Sequence, residues 1–322
     1  MAEYTVLDAE QLTTALAKFG LPPPTQTRPE PRGAINTGYH VWSGGRRFFL
    51  RVNEASAEAA LRFEASVHLY LHEARFPVPE LVLATDGRPW AEVSGKPTSL
   101  FTYAPGEELA LGDVTPDRCQ RLGEEMARLH ELGAGFEDER PNPYGRPWVA
   151  ERIAVLASRH PPDAESAAAL PFLEDELSRS ARLPGAPRGL VHGDLFLDNV
   201  LWIGDRVSAL IDWEMSCVEP FAYDLGVALN AWCHDGQFRK ELARGLWAGY
   251  RSRRKVEPET VDDLYEWSRF AALRFAVARL HGYLPAGSGA PPPAGKDWRE
   301  YRDRLAQLRA MGEAGFRSLL GE

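Results

Sequence analysis

The sequence predicts an α+β fold of two lobes, a small β-rich N-terminal lobe over residues 1–103 and a larger, mainly helical C-terminal lobe over residues 104–322. Three observations predict it. Strand-like runs and glycine turns crowd into residues 33–103, whereas beyond Ala104-Pro105-Gly106 apolar residues recur at helical spacing. At 322 residues the chain is longer than one small core organises and suits two lobes. Two short strands interrupt the helical half near residues 191–212, and they carry the residues with the clearest chemical signature.

The elements follow in order. Asp8 caps a first helix running through Phe19, with Gln11 at the capping-box position and Gly20 after the end. Leu21-Pro22-Pro23-Pro24 is a stiff connector. Residues 33–54 read as a hairpin, with a strand at 33–41, a turn at Ser43-Gly44-Gly45 and a strand at 47–52. A helix over 56–74 places Ala60, Phe63, Val67, Leu71 and Ala74 on one face, and Pro77-Val78-Pro79 stops it. Strands at 81–84 and 97–103 flank the turn Thr85-Asp86-Gly87. The helical half opens with a helix at 116–132, where Leu122, Met126 and Leu129 share a side. Further helices fall at 147–159, 165–181, 222–234, 236–250, 258–283 and 297–318. Their linkers are Pro141-Asn142-Pro143, Pro184-Gly185-Ala186-Pro187 and the segment 285–295.

Composition excludes several classes. A net charge of −9 argues against a nucleic-acid surface, where phosphate contacts need clustered Lys and Arg. The basic run Arg251-Ser252-Arg253-Arg254-Lys255 reads as a solvated helix end. There is no signal-peptide pattern at the start and no apolar run of the ~18 residues a membrane span needs. Cys119, Cys217 and Cys233 are far apart with no metal spacing. A cytoplasmic protein with reduced thiols is therefore expected, binding neither membrane nor nucleic acid. Oligomeric state is left open.

The chemistry concentrates in Val191-His192-Gly193-Asp194-Leu195-Phe196-Leu197-Asp198-Asn199 and in Ala209-Leu210-Ile211-Asp212-Trp213-Glu214. Phosphoryl transfer from ATP needs one carboxylate to take the hydroxyl proton, and an Asn and a second carboxylate to hold Mg²⁺. The order here matches a kinase catalytic loop followed by its metal-binding Asp. Asp194 is the expected base and Asn199 and Asp212 the expected Mg²⁺ ligands. Taken singly these would be a turn Asp, a turn Asn and a strand-end cap; the combined spacing favours catalysis. His192 could be a metal ligand or second base, but a packing role that buttresses the loop is favoured. Arg51, ending a strand, can neutralise ATP phosphates where kinases usually carry Lys; the alternative is an exposed strand Arg. Glu64 on the following helix would fix that cation, with Glu58 as competitor. Asn36-Thr37-Gly38-Tyr39 either folds over the phosphates or is a bulged strand. Asp224, in Tyr223-Asp224-Leu225-Gly226, is expected to cap a helix and brace the catalytic loop.

These residues resemble the aminoglycoside phosphotransferase and choline kinase-like superfamily, which has the protein-kinase-like two-lobe fold. The likeness runs from about residue 30 onward and rests on His192–Asn199, Ile211–Glu214 and Tyr223-Asp224-Leu225. Within the superfamily it is closer to the phosphotransferase-type homoserine kinases. That match is carried by Gly33-Ala34-Ile35-Asn36-Thr37-Gly38-Tyr39, Pro77-Val78-Pro79, Gly95-Lys96-Pro97 and Pro105-Gly106. Cys217-Val218-Glu219-Pro220, Asn230-Ala231-Trp232-Cys233, Leu273-Arg274-Phe275 and Arg279-Leu280 add to it. Gly193 and Trp213-Glu214 depart from it, since those kinases more often carry Ala after the His and Phe-Tyr after the Asp. The resemblance implies nucleotide bound between the lobes, with Thr102 and Tyr103 giving hinge backbone contacts to adenine. It implies ATP and Mg²⁺ as cofactors and a small hydroxyl acceptor, L-homoserine in the first place. For a zwitterionic acceptor, Asp198, Glu214 or Glu219 would meet the ammonium and Arg274 or Arg279 the carboxylate. The rival acceptors are an aminoglycoside, choline or ethanolamine, and a sugar. A non-catalytic, pseudokinase-like binding protein is the remote alternative. A protein substrate is disfavoured because Asp224 lies only 12 positions after Asp212, too few for a substrate-docking activation segment.

Overall fold

A computed structural model describes residues 5–31, 36–54, 56–158, 163–183, 185, 187–256, 260–283 and 297–322. The expected positions 33–35, 159, 184, 186, 258–259 and 285–295 lie outside them. The chain forms two compact units. The first comprises residues 1–107 with 201–203 and 208–214, and the second the remainder. The division is therefore more than a single cut after Tyr103: Asp212 and Glu214 group with the N-terminal unit, Asp194 and Asn199 with the other.

The first unit begins with α1 (Ala9–Lys18), where the expected capping box forms: Gln11 N–H donates to Asp8 Oδ1 and Asp8 N–H to Gln11 Oε1, both at 2.8 Å. Then come β1 (Gln26–Glu30), β2 (Thr37–Ser43), β3 (Arg46–Val52), α2 (Glu58–Glu73), β4 (Leu81–Val82), β5 (Ala91–Val93) and β6 (Lys96–Thr102). They build an antiparallel sheet in the order β1-β2-β3-β6-β4, with β5 also on β6. Leu50 sits opposite Tyr39 on one side and Leu100 on the other. Leu16, Val41, Phe48, Leu50, Val52 and Leu100 form the core under α1. The β2–β3 turn needs left-handed backbone at Gly44 and Gly45, with φ of 56° and 74°. Two strands of this unit, β1 and β5, were missed in the sequence. β1 is exposed along almost its whole length and carries Pro29, which only an edge strand tolerates. β5 is three residues long and turns into β6 through Ser94 and Gly95.

The second unit holds α3 (Pro116–Gly133), α4 (Arg146–Ser158), α5 (Ala164–Arg179) and β7 (Arg188–Val191). The hairpin β8 (Val200–Ile203) and β9 (Arg206–Leu210) comes next in the chain, with 201–203 and 208–210 grouping with the first unit; the second unit resumes with β10 (Cys217–Pro220), α6 (Phe221–Trp232), β11 (His234–Asp235) and β12 (Gln237–Phe238). The chain ends with α7 (Lys240–Arg253), α8 (Thr260–Tyr283) and α9 (Trp298–Leu320). Every residue of α6 is buried, making it the axis of the unit. α3 and α7 approach closely through glycines: a Cβ on Gly249 would lie 2.0 Å from Gln120 O, and one on Gly123 2.1 Å from Leu246 O. β7 pairs antiparallel with β10, Val191 opposite Cys217. The helix expected from 236 starts at Lys240 instead, because β11 and β12 form a small hairpin around Gly236, whose φ is 69°. Among the described residues no helix is long and apolar enough to cross a membrane.

Candidate active site

In the second unit the loop after β7 is built around one carboxylate. Asp224, in the first turn of α6, is fully buried. Gly193 N–H donates to its Oδ1 at 2.8 Å, and His192 N–H to its Oδ2 at 3.2 Å. His130 Nε2 lies 3.2 Å from the same Oδ2, and His130 Nδ1 3.0 Å from the Tyr250 hydroxyl. Burial alone would raise the Asp224 carboxyl, but His130 and the loop donors hold it below its ordinary range. Burial likewise lowers His130. The consistent state is an Asp224 anion facing a neutral His130 that donates from Nε2 and accepts from Tyr250. The brace expected of Asp224 is present. The helix cap is not, since Pro220 occupies the N-cap and no side chain caps α6.

The rest of the loop follows from that anchor. Trp232 Nε1–H donates to Leu195 O at 3.0 Å. Gly193 adopts φ 77°, and a Cβ there would stand 2.9 Å from Met215 O, so the backbone and the packing both favour glycine at this position. His192 is fully buried and its Nδ1 accepts from Asp194 N–H at 3.3 Å, the buttressing role expected. Asn199 Nδ2–H donates to Asp194 O at 2.7 Å and reaches its Oδ2 at 3.4 Å. That spends the amide nitrogen on the loop and leaves Asn199 Oδ1 as a hard oxygen donor. Arg274 of α8 places Nη1 3.5 Å from Asp194 Oδ1. Burial holds the Asp194 carboxyl above its ordinary value, although Arg274 and His192 pull against that rise. A carboxylate held this way, its side chain 23% exposed, can orient a hydroxyl and accept its proton.

In the first unit the centre is Arg51. Its Nη1 and Nη2 fork onto Glu64 Oε1 and Oε2 at 2.9 and 2.6 Å. Glu64 and not Glu58 is the partner; Glu58 pairs with Arg62. Arg51 Nε–H donates to Asn53 Oδ1 at 3.0 Å, and Asn53 Nδ2 is itself held by Pro97 O and Ser99 Oγ, each at 3.1 Å. Burial opposes the Arg51 charge, but Glu64, then Glu214 and Asp212, more than offset it. Asp212 is exposed and has φ 63°, a left-handed conformation that aims the residue after β9. Trp213 is buried beneath it, donating from Nε1 to Leu210 O at 3.0 Å and packing on Phe76.

The remaining candidates divide. Asn36 Nδ2–H donates to Glu214 Oε2 at 2.8 Å, and Asn36 Oδ1 accepts from Glu54 N–H at 3.1 Å. Thr37 Oγ1–H donates to Glu54 Oε1 at 2.6 Å. Burial would raise the Glu54 carboxyl, but Lys96, Thr37 and Thr5 draw it down to about 2. The side chains of Asn36 and Thr37 thus tie the unit's own carboxylates, and Thr37 to Tyr39 lie in regular strand. Thr102 N–H donates to Glu80 O and Tyr103 N–H to Arg47 O, at 2.9 and 3.1 Å. Both N–H groups are therefore engaged, which leaves the carbonyls of these two residues for the expected backbone contacts to adenine. Asp198 is exposed on the loop. Arg279 is committed to Glu300 and Asp297 O, at 2.9 and 3.2 Å, which removes it as a substrate cation. Sequence reasoning missed Asn53 and His130. Asn53 had a signal, since residues i and i+2 share a strand face; His130 had none.

Could Mg²⁺ be held here? Among the described residues no three His, Cys, Asp or Glu side chains cluster as a metal site. Mg²⁺ on a nucleotide needs only one or two carboxylates beside phosphate and water oxygens. The exposed Asp212 carboxylate of the first unit and, separately, the Asn199 Oδ1 of the second are each a donor of that kind.

The chain resembles known proteins along most of its length. Residues 26–259 match the phosphotransferase enzyme family. A homoserine kinase of Azorhizobium caulinodans is 33% identical over 324 residues, covering 98% of each chain. A homoserine kinase of Methylorubrum populi matches equally, 33% over 98% of each. Among solved structures, a microcompartment-associated aminopropanol kinase superposes with a TM-score of 0.66 at 24% identity, over 98% of this chain and 99% of its own. A choline kinase from Cryptosporidium parvum gives 0.65 at 15% identity over 92% of each. These two likenesses establish the protein-kinase-like fold. With the family match spanning residues 26–259 and the curated relatives nearly the full length, the chain belongs to the phosphotransferase enzyme family.

Proposed function

We propose that the protein is an ATP- and Mg²⁺-dependent kinase that transfers the γ-phosphoryl group to the hydroxyl of L-homoserine. The observation that carries the acceptor is the 33% identity to proteins named homoserine kinase over 98% of both chains. The loop geometry supports the reaction class. Asp194 orients the acceptor hydroxyl and takes its proton as the oxygen attacks phosphorus. Asn199 and Asp212 would supply oxygen ligands to Mg²⁺, which when bound offsets charge on the phosphates. Arg51, fixed by Glu64 and Asn53, meets those phosphates with the N–H groups it has left. Asn36 and Thr37 would act through Glu214 and Glu54, and Thr102 and Tyr103 would face adenine with carbonyls. Asp198 or Glu214 would receive the acceptor's ammonium. The cytoplasmic setting belongs to the same proposal, and Cys119, Cys217 and Cys233 are free and buried.

The test is ADP release with Mg²⁺–ATP across L-homoserine, choline, ethanolamine, methylthioribose and kanamycin. Homoserine-dependent release is expected. Release with another acceptor alone would retain the chemistry and overturn the substrate.

A further inference from the structure

Around Asp194 the second unit buries more hydrogen-bond donors than it satisfies. Arg274 is 2% exposed, and its Nε has no hydrogen-bond partner. Tyr301 is 1% exposed, and its hydroxyl has none. Arg304, one turn along α9, leaves Nε and Nη1 without hydrogen bonds, its nearest carboxylate oxygen on Glu300 being 3.7 Å from Nη1. These groups share one aromatic-lined patch. Phe275, adjacent to Arg274, packs 5.0 Å from the Tyr301 ring, and Phe196 of the catalytic loop lies 4.9 Å from Phe275. The Arg304 guanidinium lies 4.5 Å over the Tyr301 ring and that of Arg274 3.8 Å over Phe275. Buried donors without acceptors are rare in folded proteins and mark a missing acceptor. Burial pushes the Tyr301 phenol up to about 12, so it stays a donor at neutral pH. Arg279, on the same ring, is already paired with Glu300.

We infer that Arg274, Tyr301 and Arg304 form a seat for a carboxylate of the acceptor, so that this site selects hydroxy acids over plain amino alcohols. A carboxylate offers two oxygens and about four lone-pair sites, matching two guanidinium edges and one phenol. The seat lies beside Asp194, where a hydroxyl on the same small molecule would meet the base. The inference rests on the kinase reading above and assigns the residues that would recognise the acceptor's anionic end.

Tyr301→Phe and Arg304→Met test it in the full chain, with Mg²⁺–ATP and two acceptors. L-Homoserine carries the carboxylate, and 3-amino-1-propanol is the same molecule without it. Tyr301→Phe removes only a hydroxyl that no protein group uses, so the fold is retained. The expected result is a KM for L-homoserine raised about 10-fold or more in each variant, as loss of a hydrogen bond to a charged group predicts, with kcat/KM for 3-amino-1-propanol unchanged within about twofold. Calorimetry with L-2-aminobutyrate, which keeps the carboxylate but has no hydroxyl, gives a second readout that needs no turnover. Its binding should weaken about 10-fold in Tyr301→Phe. If wild type phosphorylates neither acceptor but Tyr301→Phe still weakens L-2-aminobutyrate, the seat stands and the kinase reading falls. If L-2-aminobutyrate does not bind, or both variants lower the two acceptors equally, the seat is overturned.

Discussion

Replacing Asp224 by Asn probes the brace on which the catalytic loop depends. Three donors converge on this carboxylate, Gly193 N–H on Oδ1 and both His192 N–H and His130 Nε2–H on Oδ2. An amide has one oxygen. Whichever way it turns, its NH₂ faces at least one buried backbone donor, an arrangement that costs about 1–3 kcal/mol. The melting temperature should then fall by roughly 2–4 °C per kcal/mol. The sign with pH is also fixed. Asp224 titrates below its ordinary value of 3.8, so its contribution is present above that value and is lost as pH falls through the folded pKa. The stability gap between wild type and Asp224→Asn is therefore full at neutral pH and closes in acid. Urea unfolding from pH 7 down to pH 3 measures the gap. Steady-state kinetics should show kcat falling about 10-fold or more, with the KM for ATP little changed, because the loop and not the nucleotide contacts is disturbed. A variant with wild-type stability and kcat would refute the reasoning, as would a gap that widens in acid.

Three further outcomes are expected. Asn53→Ala should raise the KM for ATP several-fold in wild type but hardly at all in an Arg51→Lys background, because Asn53 holds the Nε that Lys lacks; additive effects in the double-mutant cycle would exclude that coupling. Arg274→Gln removes the main influence pulling the Asp194 carboxyl down, so the acidic limb of the kcat/KM profile should move to higher pH; a shift to lower pH would contradict the assignment. Gly193→Ala should lower both kcat and stability, the latter by about 1–2 kcal/mol, since it adds a Cβ at φ 77° and 2.9 Å from Met215 O; thermal melts and turnover check both.

What the sequence revealed was largely local. The Asp8–Gln11 capping box lies within one turn, and Asp194, Asn199 and Asp212 stand out because their spacing is itself the signal. Glu64 could be separated from Glu58 only by knowing how α2 is rotated against β3. β1 was invisible because an exposed edge strand has no buried face and so no apolar alternation. The double role given to Asp224 was half right: its position at the start of α6 suggested a cap, but its carboxylate turns to the loop and to His130, 94 positions away. No single-sequence pattern encodes such a contact. Arg274 was read as a substrate cation, and the structure adds that it also stands beside the base. The departures at Gly193, Trp213 and Glu214 likewise became intelligible only with packing, through the Met215 carbonyl, the Phe76 ring and the Asn36 amide.

The most direct test of the central claim is phosphorus NMR of the reaction of L-homoserine with Mg²⁺–ATP, run with wild type and with Asp194→Asn. A homoserine phosphoester signal is expected from wild type, with a rate about 10²–10⁴-fold lower in the variant, which still binds ATP. A variant that forms the ester at a rate near wild type would contradict the role of Asp194, and a wild type that forms none would contradict the function itself.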